Sequence, residues 1–82
     1  MKQNYDMMIE EKVLRVLSEM EKRVSIEDMA RIHEAYELAR EAHAEQKRKS
    51  GEPYIIHPIA VATIVAEELK LGANPVIAAF LH

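Results

Sequence analysis

The chain has 82 residues, which makes it one small domain or part of one, near the size at which a single core is only marginally stable. Apolar residues make up 49% and charged residues 30%, enough for a core and far too charged for a membrane span. A net charge of −3 gives no global pull on nucleic acid or anionic lipid, and the absence of cysteine removes disulfides, thiolate metal sites and a thiol nucleophile. A soluble protein is expected, with no membrane partner and no direct DNA binding, so any anion binding must be local. Residues 1–6 lack the apolar core of a signal peptide, and the expected compartment is the cytoplasm.

Helical periodicity runs through almost the whole chain, and no segment alternates as a strand does. Ile9, Val13, Val16, Leu17 and Met20 recur at helical offsets and define one face of a first helix from about Tyr5 to Arg23. Ser25 reads as a fresh N-cap, with Glu27 and Asp28 in the following turn where carboxylates suit the positive end of the helix dipole. Met29, Ile32, Tyr36, Ala39 and His43 carry the second helix to about Gln46, before Ser50-Gly51-Glu52-Pro53 breaks it. The apolar run Ile59–Ala66 could pass for a buried strand. Length and punctuation favour a third helix instead, with Pro58 at its first position and Leu71-Gly72 as its stop. Asn74-Pro75 repeats the cap-and-proline pattern and opens a fourth helix over 76–82. The expected fold class is therefore all-α, with four helices. Residues 1–41 hold 7 basic and 10 acidic side chains against 4 and 4 in 42–82, a solvated acidic face to which no function is assigned. The five methionines fit gaps in helix packing.

One joint concentrates chemistry. In "QKRKSGEPYIIHPIAVA" a cationic triplet, Lys47-Arg48-Lys49, precedes a glycine turn, two prolines and His57. Three cations there could simply favour the negative end of the second helix. The prolines stiffen the connection, however, and fix the direction of His57 at the start of a buried helix, which a metal ligand requires. An antiparallel third and fourth helix would return His82 towards His57. Two imidazoles beside a cationic loop can hold a divalent metal and a phosphate ester against it. Equally, His57 can be a cap or core residue. His43 ends the apolar stripe of the second helix and is read as a packing residue with a supporting place beside the pocket, and His33 as a solvated one.

The order "AHAEQKRKSGEPYIIHPIAVATIVAEELKLGANPVIAAFLH" closely resembles the start of the HD-type hydrolase domain of the RelA/SpoT family, enzymes that make and degrade guanosine tetra- and pentaphosphate. The resemblance covers about residues 30–82, with 1–29 as a helical lead-in, and its most specific part is "RKSGEPYIIHP" followed by "FLH". It implies that His57 and His82 are metal ligands, His82 being the histidine of the His-Asp doublet, and that Arg48 and Lys49 line the nucleotide pocket. The implied cofactor is manganese (Mn2+), and the implied reaction is removal of the 3′-pyrophosphate, in a parent enzyme that can also carry a synthetase. The sequence stops at His82, before the aspartate of the doublet. An N-terminal, truncated portion of the domain is therefore expected, inactive alone, since such a metal needs oxygen donors beside imidazole. Its apolar fourth helix, flanked only by the third, would drive homo-oligomer formation through helices three and four. A small helical interaction module with structural histidines is the alternative reading.

Overall fold

Apolar side chains at helical spacing bury one stripe and leave the rest to water. In the computed structural model, which describes residues 4–81, the first helix does this with Ile9, Val13, Val16 and Met20. This helix, α1, spans Asn4–Glu21. Val16 and Met20 are wholly buried, each worth roughly 1.5–3 kcal/mol of transfer from water. The chain then turns as the amides of Arg23 and Val24 both donate to the Met20 carbonyl.

Ser25 caps α2, Ile26–Ala42, as its sequence context predicts: its side-chain oxygen accepts from the Asp28 amide at 3.1 Å. Ile32, Ala35, Tyr36 and Ala39 form the buried stripe of this helix. It ends at Ala42, earlier than the expected Gln46. His43 there closes the helix with its amide on Ala39, and its Nδ1 lies 2.7 Å from Gln46 Oε1. The cationic stretch is thus not a helix end. It forms a small hairpin, closed by an isolated antiparallel bridge between Lys47 and Pro53 and by hydrogen bonds from Arg48 to Glu52 and from Tyr54 to Gln46. Gly51 at its tip has φ +93°, a conformation that side chains disfavour, while the space around its Cα is open. The dihedral, and not crowding, asks for glycine.

α3 spans Ile56–Thr63 and continues directly as a single π turn, Ile64–Glu68. Pro58 is its third residue, where the sequence suggested its first; the chain already winds from Pro53 through Tyr54 and Ile55. The proline is still accommodated, because amides of a first helical turn have no partner in the helix. Just before the π turn the Thr63 hydroxyl donates to the Ile59 carbonyl at 2.9 Å, a back-bond of the kind that bends helices. The wide turn itself is marked by the Leu69 amide reaching Ile64 and the Leu71 amide reaching Val65.

α4 spans Ala73–Leu81. Asn74 does not cap it as expected: the helix begins one residue earlier, and the Asn74 side-chain oxygen accepts from Arg31 Nη2 at 3.0 Å, while Arg31 Nη1 binds Asp28 at the same distance. That bridge ties the start of α4 to the first turns of α2. α4 packs on both α2 and α3, with Phe80 1% exposed and its ring edge-on to Tyr36 at 5.8 Å. The expectation that only the third helix flanks the fourth is corrected accordingly, because α2 lies long enough beside it to bury Val76 and Phe80 within one chain. Small residues line the helix contacts: Ala35 and Ala39 on α2, Ala62 on α3, Ala66 in the π turn, and Ala73 and Ala79 on α4 are all buried. The described residues are all-α apart from the single bridge, and none of their helices is long and apolar enough to cross a membrane.

Candidate functional site

His57 is the second residue of α3, held in the first turn by its amide hydrogen bond to the Tyr54 carbonyl at 3.0 Å. Its side chain is exposed, while Pro58 and Ile59 next to it are buried, so the backbone beneath the imidazole is anchored and the ring faces outward. Beside it lies a cleft of about 220 Å³ between α3 and α4, lined by His57, Val61 and Val65 on one side and by Pro75, Ala78 and Ala79 on the other. The cleft therefore runs along the contact of α3 with α4. His82 itself lies outside the described residues.

Tyr54 is the residue the sequence reasoning overlooked. Its ring lies against His43, with centroids 4.8 Å apart and planes inclined by 44°, and approaches His57 at 6.1 Å, so three rings run from the end of α2 to the start of α3. The available signal was its place three residues before His57 and between two prolines, which brings both rings to one side of a turn. His43 is half-buried, against Tyr54 and Gln46, in agreement with a packing residue beside the pocket. His33 is exposed on α2, as expected.

Arg48 and Lys49 both lie exposed in the hairpin. Arg48 Nη1 is 3.9 Å from Glu52 Oε1 with both side chains substantially solvated, a contact weak enough to leave the guanidinium open to another anion. The hairpin base is Tyr54, whose amide binds Gln46 and whose ring approaches His57. The cationic loop and the imidazole thus share one end of the molecule.

A divalent metal needs several converging donors. His57 offers one accessible imidazole with room around it, and among the described residues no set of three histidine, aspartate or glutamate side chains converges. The described residues fit a single ligand of a metal and not a whole coordination sphere.

Fold and site together describe an all-α domain with a histidine at the mouth of a helix–helix cleft and a cationic hairpin beside it. The family model described as HD domain matches residues 35–82, more than half of the chain, and the protein belongs to this family. It is 59% identical over 51 residues to the guanosine-3′,5′-bis(diphosphate) 3′-pyrophosphohydrolase of Aquifex aeolicus, a match covering 62% of this chain and 7% of that protein. Against the bifunctional (p)ppGpp synthase/hydrolase SpoT of Escherichia coli K12 it is 52% identical over 56 residues, 68% of this chain and 8% of SpoT. The GTP pyrophosphokinase of Streptomyces antibioticus is 42% identical over 74 residues, 88% of this chain and 8% of the relative. The chain spans less than a tenth of the length of these relatives.

Proposed function

We propose that this chain carries the first part of a metal-dependent HD hydrolase site. In this reading His57 and His82 bind a divalent metal, Mn2+, and Arg48 and Lys49 hold the phosphates or base of guanosine tetra- or pentaphosphate. The protein to which the segment belongs removes the 3′-pyrophosphate. The observation that carries the reading is the exposed imidazole of His57 at a cleft between α3 and α4, with the cationic hairpin joined to it through Tyr54. The names of the relatives supply the substrate class, and the guanidinium of Arg48 has the planar fork suited to phosphate. Lys49 adds a mobile point charge.

One observation favours the alternative of a helical interaction module: His43 is engaged by Tyr54 and Gln46, as a structural histidine would be. His57 is exposed, with the Tyr54 ring farther off at 6.1 Å, and the hydrolase reading accounts for that exposure better. Self-association through α3 and α4 also belongs to the proposed behaviour, supported by the exposed side chains of Ile64 and Leu81.

The test is titration of the chain with Mn2+ while the imidazole proton resonances are followed. Paramagnetic broadening is expected first at His57 and His82, and His57→Ala should abolish it while leaving the helical circular dichroism intact. In the longer protein, the same substitution should remove 3′-pyrophosphate hydrolysis, and Arg48→Ala should raise KM more than it weakens metal binding. Broadening centred on the acidic side chains of α1, unaffected by His57→Ala, would refute the metal assignment.

A further inference from the structure

Ala66 is wholly buried, yet it sits in a turn that cannot satisfy its carbonyl in the ordinary way. In an α-helix the amide four residues ahead would take it. Here the Leu69 amide goes back to Ile64 and the Leu71 amide to Val65, and the chain then leaves the helix through Lys70, whose φ is +53°. A buried carbonyl without a donor is strongly disfavoured. The donor comes from far away in sequence: Arg23 Nη2 binds the Ala66 carbonyl, and Nη1 binds the Leu71 carbonyl at 3.3 Å. Arg23 is itself anchored, by its amide on Met20 at 2.9 Å, and its side chain is only 25% exposed. Glu19 stands 3.9 Å from the guanidinium, too loosely to compete.

We infer that Arg23 is a positioning residue, which fixes the wide turn after α3 and through it the register with which α4 returns to His57. Its bearing on the site rests on the reading of His57 proposed above. The wide turn accommodates one residue more than an α turn, and loss of that residue from the turn would rotate everything downstream by about 100°. Arg23 selects the wide form because it offers two donors in a rigid fork to two carbonyls that the α form would not present together. Without it, the Ala66 carbonyl is satisfied most simply by the Lys70 amide, in α register. Val76, Ala79 and Phe80 would then no longer point where the core receives them, and the cleft between His57 and Ala78 would change shape.

Arg23→Met keeps the length of the side chain and removes every donor, and Arg23→Lys keeps the charge without the fork. Amide exchange at Leu69 and Leu71 should quicken about tenfold or more in Arg23→Met, as expected from losing even one of the two charge-assisted hydrogen bonds, with a smaller change in Arg23→Lys. Nuclear Overhauser contacts between the cleft residues Val61 and Val65 and the methyls of Ala78 and Ala79 should weaken in parallel, while exchange at Val13 and Val16 in α1 stays nearly unchanged. Wild-type exchange at Leu69 and Leu71 with intact contacts across the cleft would overturn the inference. Should Arg23→Met fail to fold, Arg23→Lys decides: quicker exchange confined to the wide turn supports the positioning role, and wild-type exchange overturns it. None of these signals involves metal, so they stand or fall independently of metal binding at His57.

Discussion

The seat of α4 on α2 includes an aromatic pair whose worth can be measured. Phe80 is 1% exposed and Tyr36 9%, with ring centroids 5.8 Å apart and planes inclined by 60°, the edge-to-face arrangement that aromatic quadrupoles favour. Phe80→Leu keeps an apolar side chain of similar bulk, a swap that usually costs less than about 1.5 kcal/mol. It also forfeits the ring pair, worth about 0.5–1.5 kcal/mol beyond burial. Together these give a loss of about 0.5–3 kcal/mol, or a fall in Tm of about 2–24 °C for a domain of this size. Thermal melts followed by far-ultraviolet circular dichroism on the wild type, Phe80→Leu, Tyr36→Leu and the double variant complete a cycle that isolates the pair from the burial of each partner. A coupling of about 0.5–1.5 kcal/mol is expected. Strict additivity, with both single variants nearly as stable as the wild type, would refute the docking of α4 on α2.

Two further outcomes are expected. The Tyr36 phenol is pushed above its ordinary value of 10.0, first by burial and then by Glu37 and Glu10, with Arg40 acting against them. Because the unfolded chain gives up that proton at lower pH, the stability associated with the neutral phenol is full below about pH 10 and is lost as pH rises through the folded value. Denaturant melts between about pH 8 and pH 11 should show Tyr36→Phe losing less stability than the wild type, and parallel curves would sink the assignment. Self-association through α3 and α4 predicts a dimer or larger species by light scattering after size exclusion; a clean monomer at high micromolar concentration with a cooperative melt would show it to be wrong.

Much of the helical framework was legible because its causes are local. The stripe Ile9, Val13, Val16 and Met20 lies within one helix, and the Ser25 cap acts within three residues. Where causes lie elsewhere in the chain, the sequence was silent. Ile64-Val65-Ala66-Glu67-Glu68 contains neither glycine nor proline to announce a wide turn, and its carbonyl partner is 43 residues away at Arg23. Asn74 has the look of a cap, but Arg31, also 43 residues distant, claims its side chain. The early end of α2 comes from a hairpin whose closure joins Lys47 to Pro53, a pairing that periodicity does not register. At the candidate site, His57, Arg48 and Lys49 were singled out by their arrangement and by family resemblance. The ring of Tyr54 between two histidines became visible only once the turn was folded.

The alanines at the helix contacts have a consequence for how α4 is held. Fixing the backbone of each residue costs about 1–2 kcal/mol of conformational entropy, and a helix of 9 residues has little surface with which to offset it. A buried methionine or glutamine would add up to about 1.5–2 kcal/mol of lost rotamer freedom, whereas alanine adds none. At Ala35, Ala39, Ala62, Ala66, Ala73 and Ala79 the chain orders a contact without freezing a single side-chain torsion. The few side chains that do lose rotamers there, Val76 and Phe80 among them, are the stiff ones, with one or two torsions each. So short a helix can therefore dock on its neighbours with its disorder removed almost wholly from the backbone.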